Sequence, residues 1–94
     1  MMKVSESNIE MNVSKYACNT GWWTRKFTSP SNAGSPDRIF IKNGKTLFIE
    51  FKATGEKPRK LQLEIMKQMR EKGAIVYVVD DIQTGKDILD NETN

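Results

Sequence analysis

Asp37, Glu50 and Lys52 are the residues of this chain whose types and spacing suit chemistry. Asp37 closes the run Gly34-Ser35-Pro36-Asp37, and Glu50 and Lys52 flank a phenylalanine in Ile49-Glu50-Phe51-Lys52-Ala53. Paired carboxylates gather a divalent cation, and an amine beside them can orient or deprotonate a water or steady negative charge. Such a set suits metal-assisted hydrolysis of a phosphodiester. Either half alone is an everyday pattern: Pro-Asp often opens a turn, and Glu-x-Lys often lines a solvated strand face. Their combination at hairpin spacing carries the reading, because polar residues interrupting an apolar strand are costly if buried unpaired.

The surrounding elements must bring the two halves together. Asp37–Lys42 and Thr46–Ala53 read as strands joined across Asn43-Gly44, the dipeptide best suited to a type I′ turn. Alternation then sets Thr46, Phe48, Glu50 and Lys52 on one face and Leu47, Ile49, Phe51 and Ala53 on the other. Glu50 and Lys52 thus share a face, with Cα atoms roughly 6.5–7 Å apart. Asp37 begins the antiparallel partner near the end of the strand that carries them. Mg²⁺ or Mn²⁺ takes about six oxygen ligands; Asp37, Glu50, the main-chain carbonyl of Phe51, water and substrate phosphate would supply them.

The rest of the chain reads as a compact αβ pattern. Ser5 or Ser7 caps a first helix with Ile9, Val13 and Ala17 at helical spacing, and Gly21 ends it. Trp22–Thr28 is expected to be a strand, with one of Trp22 and Trp23 in the core and the other at a subunit interface or a base. Residues 29–35 form a loop. Pro58 suits the first turn of a second helix, whose apolar stripe is Leu61, Ile65 and Met69, with Met66 as further filler and Gly73 as terminator. Ala74–Val79 is a strand covered on both faces. A right-handed crossover makes it parallel to Thr46–Ala53. The tail from Asp80 is expected to form a helical turn around Ile82–Leu89 and then fray.

Composition narrows the function classes. The 94 residues allow one domain, which buries only roughly 60–65% of its unfolded surface, so a second copy would help it fold. A lone Cys18 provides neither a disulfide framework nor a zinc site, and the complete lack of histidine excludes histidine-based nucleases, serine-hydrolase triads and most zinc hydrolases. No signal peptide or transmembrane run is evident, so an intracellular, cytoplasmic setting without membrane is expected. Residues 23–60 carry nine basic groups against three acidic ones, whereas residues 80–94 carry five acids against Lys86 alone. The positive charge surrounds the candidate site, as a polyanionic substrate requires. Arg25, Lys26, Arg38, Lys57, Arg59 and Lys60 are the candidate phosphate contacts, the last three at a helix entrance where free amides also favour anions.

Gly34-Ser35-Pro36-Asp37, Glu50-Phe51-Lys52, Glu6 and Gln62 together resemble the VRR-Nuc family of the PD-(D/E)xK nuclease superfamily, found in the Fanconi-associated nuclease and as stand-alone phage and bacterial proteins. That family's pattern has a Glu early in the first helix, then G-x-P-D, then E-x-K, then a Gln at the start of the next helix. The resemblance spans Glu6 to about Val79. It implies an α/β, restriction-endonuclease-like core: a small mixed sheet of about four strands flanked by helices, in the order α-β-β-β-α-β. It further implies catalytic roles for Asp37, Glu50, Lys52, Gln62 and Glu6, with Glu6 as a further metal ligand. Glu10, one turn on, is the alternative helix carboxylate, although with Ser7 it also fits a capping box. The activity implied is a Mg²⁺- or Mn²⁺-dependent DNA endonuclease, resolving four-way (Holliday) junctions as a homodimer in a phage or bacterial host cell. Cleavage of nicked, flapped or linear duplex, and a DNA-binding module that does not cleave, are the alternatives.

Overall fold

The computed structural model describes residues 3–28 and 34–93. Most of the loop expected at 29–35 therefore lies outside the described residues. Helix α1 spans Glu6–Asn19 and starts at Ser5, whose hydroxyl accepts the Asn8 amide. Strand β1 is Trp23–Lys26, β2 Arg38–Lys42 and β3 Lys45–Phe51; helix α2 is Lys60–Glu71, β4 Ile75–Val79 and α3 Ile82–Glu92. The four strands lie in the order β1-β2-β3-β4. β1, β2 and β3 run antiparallel, and β4 joins β3 in parallel through α2, as the strand–helix–strand pattern requires.

Asn43 and Gly44 carry φ values of 49° and 81°, both in the left-handed region that a type I′ turn demands. This turn fixes the β2–β3 register at Arg38↔Ile49 and Phe40↔Leu47. Phe40, Leu47, Ile49 and Phe51 consequently point to one face, where they are fully buried with Ile9, Val13 and Ala17 of α1 and Leu89 of α3. Trp22 joins this core, while Trp23 is exposed, which is the expected division between them. The opposite face, carrying Phe48 and Glu50, receives α2.

Several elements differ from expectation. The second helix begins at Lys60, not Pro58, because Arg59 is extended and serves as its N-cap. Its buried members are Gln62 and Met66, and Leu61 is half exposed. The inward stripe is thus turned by one position, a rotation made affordable because both ends of the Gln62 amide find partners. Leu61 and Ile65 instead press on Gly34, where an added Cβ would lie 3.2 Å from each side chain. Gly73 does end the helix: its amide reaches Arg70 O and that of Ala74 reaches Met69 O. β4 is not covered on both faces, since Val78, beside Glu50, stays partly exposed.

The tail is the largest departure. Instead of fraying after Leu89, it forms the three-turn helix α3, packed against α1. Its acids are put to use: Asp81 caps the helix through Thr84 N, and Asp90 accepts the Tyr16 hydroxyl at 2.6 Å. Glu92 accepts the Tyr77 hydroxyl and pairs with Lys45 at 3.0 Å.

Candidate active site

Asp37 lies immediately before the start of β2. Extending the β2–β3 register by one residue sets Asp37 opposite Glu50. Ladder pairing stops at this point because Pro36 has no amide to return a bond to Phe51. The Asp37 carboxylate accepts the Phe51 amide instead, Oδ2 to N 2.7 Å. Burial raises the Asp37 pKa and the Glu10 charge adds to this, against the Phe51 amide, Lys26 and Lys52, which favour the charged form.

Glu50 is 2% exposed and sits on a strand between apolar neighbours. Its Oε2 accepts from Gln62 Nε2 at 2.8 Å and lies 3.3 Å from Lys52 Nζ. Gln62 cannot turn its amide over, because its Oε1 already accepts the Arg59 amide at the helix cap, 2.8 Å. One side chain therefore couples the start of α2 to the centre of the site. Glu50 Oε1 is buried and has no partner among the described residues. Desolvation and the neighbouring Asp37 charge push the Glu50 pKa up to about 7; Lys52 opposes them and Glu6 adds to them.

The sequence-derived residues divide into those that converge here and those that do not. Asp37, Glu50, Lys52 and Gln62 come together around β3. Glu6, exposed in the first turn of α1, is near enough for its charge to act on Glu50. Its position is held by a mutual link between Val4 and Thr54: the Thr54 amide donates to Val4 O and the Val4 amide to Thr54 Oγ1, each at 3.0 Å. Glu10 takes no part in a capping box, since Ser5 rather than Ser7 is the cap. It is buried, and its Oε2 lies 2.7 Å from Lys26 Nζ and 3.1 Å from Arg38 Nη1. This cluster was absent from the sequence reading. The β2–β3 register puts Arg38 on the core face with Phe40, and a cation there requires an acid from the covering helix.

Among the basic residues, Lys57, Arg59 and Lys60 are exposed at the start of α2, close to Gln62. Lys26 and Arg38 lie toward α1, and the Arg25 guanidinium stacks 4.9 Å from the exposed Trp23 ring.

The donor set fits a hard divalent cation. It is all oxygen, and the buried, unpartnered Glu50 Oε1 is what a cation beside Asp37 would satisfy. Among the described residues no group of three or more Asp, Glu, Cys or His side chains forms a cage. A cation held here would thus rest on Asp37, Glu50, the Phe51 carbonyl and waters, ligation that Mg²⁺ commonly accepts.

Comparisons with known proteins bear on the family and the fold. No family model matches the chain. "Putative nuclease p44" of Acyrthosiphon pisum secondary endosymbiont phage 1 is 37% identical over 81 residues, covering 85% of this chain and 87% of that protein. A solved structure of a VRR_NUC domain superposes with a TM-score of 0.81 at 22% identity, covering 93% of this chain and 97% of that one. No helix among the described residues is long and apolar enough to cross a membrane. With the motif, the fold and the phage relative in agreement, the chain belongs to the VRR-Nuc family of nucleases.

Proposed function

We propose that this nuclease is a Mg²⁺- or Mn²⁺-dependent endonuclease of branched DNA, cutting four-way junctions as a homodimer within the cell. The observation that carries the metal dependence is the buried Glu50 Oε1, without a partner among the described residues, in a carboxylate that the Asp37 charge also acts on. A bound cation would supply an acidified water and neutralise charge on the phosphate. Asp37 and Glu50 would hold that cation, and the Gln62 and Lys52 contacts keep Glu50 Oε2 fixed so that Oε1 is presented in one orientation. Lys52 Nζ then orients the attacking water and steadies negative charge as the phosphorane forms. Glu6 would reach the water or the cation from the side of α1. Lys57, Arg59 and Lys60 hold the DNA backbone at the α2 entrance.

Branched DNA and the dimer follow from the resemblance to stand-alone members of the family. One small site cuts one strand, so paired cuts in a junction call for two sites related by a two-fold axis. The uncovered half of the α2-side sheet face, with Trp23, Ile39 and Ile41, offers an apolar surface for a second copy.

The test is to incubate the protein with labelled four-way junction, flap, nicked and linear duplexes, each with Mg²⁺, Mn²⁺ or EDTA. Symmetric cuts in the junction that need the cation are expected. Lys52→Ala should slow cutting by about 10²- to 10³-fold while binding persists. Cutting confined to linear duplex would replace the junction reading, and binding without cutting in either metal would end the enzymatic one.

A further inference from the structure

We propose that the groove between α1 and β1 is a phosphate track for the substrate strand, in which Glu10 is a positioning residue for Arg38 and Lys26. This rests on the nucleic-acid reading above and assigns a second contact region to it. The groove has a volume of about 590 Å³, and Lys15, Arg25, Lys26 and Arg38 line it against a single acid, Glu10. That acid is already neutralised by two of the cations. The remaining character is strongly positive, which suits a polyanion.

Arg38 is held by two contacts. Its Nε donates to Thr24 Oγ1 at 3.3 Å and its Nη1 to Glu10 Oε2 at 3.1 Å. Glu10 and Thr24 are both nearly fully buried, so the anchors themselves are rigid. A guanidinium has five N–H donors; fixing part of the fork leaves the rest pre-organised for a phosphate, with the ordering entropy already spent in folding. Lys26 is the exposed member, at 59%, and its long side chain can reach from Glu10 to a phosphate oxygen. Ser14, on the groove wall, has a buried hydroxyl without a partner among the described residues.

Connectivity argues that this groove serves the same substrate. Arg38 follows Asp37 directly but turns to the α1 face of the sheet, where Lys26 pairs with it across the strands. A phosphodiester chain passing from the Asp37–Glu50 site around the start of β2 toward α1 meets these cations next. Glu10 lies one turn beyond Glu6 on α1, and its carboxylate is engaged with cations. It therefore acts through Arg38 and Lys26, not on the reacting atoms.

Binding in EDTA separates this groove from the metal chemistry. Labelled duplex and four-way junction are titrated with wild type, Lys26→Ala, Arg38→Lys, Glu10→Gln and a control on α3, Lys86→Ala, over a range of salt, with circular dichroism confirming folding. Lys26→Ala is expected to raise Kd about five- to tenfold and to flatten the slope of log K against log salt by about one. Lys86→Ala should bind as wild type. Arg38→Lys keeps the charge, so its slope should stay while cleavage in Mg²⁺ falls at least about tenfold through loss of the fork. Glu10→Gln should steepen the slope and tighten binding while lowering kcat, whereas a merely structural glutamate would lower Tm without steepening it. Folded Lys26→Ala and Arg38→Lys proteins that bind with the wild-type slope and cut at the wild-type rate would overturn the proposal. If wild type binds but never cuts, and Lys26→Ala still flattens the slope, the groove stands and the nuclease mechanism fails.

Discussion

Glu50 is held in an environment that penalises its charge, and this has a measurable consequence. Its pKa lies near 7 when no cation is bound, against an ordinary carboxylate value of 4.5. Between those values the folded protein binds more protons than the unfolded chain, so this group's contribution to stability falls as pH rises through the window. Melting in EDTA should therefore show Tm declining from pH 5 to pH 8, and Glu50→Gln should remove most of that slope. Because a ligating carboxylate must lose its proton, Mg²⁺ or Mn²⁺ should raise Tm more at pH 8 than at pH 5. A Tm in EDTA that is flat or rises over this range would show that Glu50 is not desolvated in this way. At this scale the sequence was highly legible. Motif spacing and period-2 alternation were enough to face Asp37 toward Glu50 and to put Lys52 on the Glu50 side. Gln62 was less so, because its inward turn depends on two hydrogen bonds, one from Arg59 N at its own helix cap and one to Glu50 Oε2, and the second forms only once α2 packs on β3. Glu10 was hidden for a similar reason. Local capping patterns explained it adequately, and only the packing of α1 on β1 and β2 reveals its two cations.

The elements position these residues through a few close contacts. α1 carries Glu6 and Glu10, and its placement depends on α3, which a reading of the acidic tail by composition could not anticipate. Apolar residues Ile82, Ile88 and Leu89 are sparse there, and what fixes the helix is long-range: Tyr16 with Asp90, Tyr77 with Glu92, and Gly85 beneath α1. Gly85 makes the closest approach, since an added Cβ would stand 2.6 Å from Val13 Cγ2 and 3.3 Å from Val79 Cγ1. In an exposed helix, replacing glycine by alanine gains up to about 1 kcal/mol. Here overpacking should prevail, and Gly85→Ala should destabilise by about 1–3 kcal/mol in urea unfolding. Its folded fraction should retain wild-type cleavage, since no site residue touches Gly85. A neutral or stabilising result would mean that α1 and α3 separate easily. That would weaken the argument that α3 sets the position of Glu6.

At the scale of the whole molecule, the sheet is covered unequally. α1 and α3 close one face, whereas α2 lies toward β3 and β4 on the other. Over β1 and β2 that second face is left with Trp23 at 49% exposure and Phe27 at 38%, the latter edge-on to Phe48 with ring centroids 5.1 Å apart. Aromatic side chains in such a position lose apolar exposure readily when a partner arrives. If a second copy is that partner, Trp23→Glu places charge in the interface yet leaves the core intact, because Trp22, just before β1, and Thr24 within it carry the buried side. Sedimentation of wild type at micromolar concentration should give a dimer, and that of Trp23→Glu a monomer with an unchanged circular dichroism spectrum. Each monomer retains Asp37, Glu50, Lys52 and Gln62, so cutting should continue. What should disappear is the coincidence of cuts in opposing arms, leaving junctions nicked once. A monomeric wild type, or a Trp23→Glu protein that remains dimeric, would reject this face as the interface. Paired cuts by a monomeric variant would separate junction resolution from dimerisation altogether.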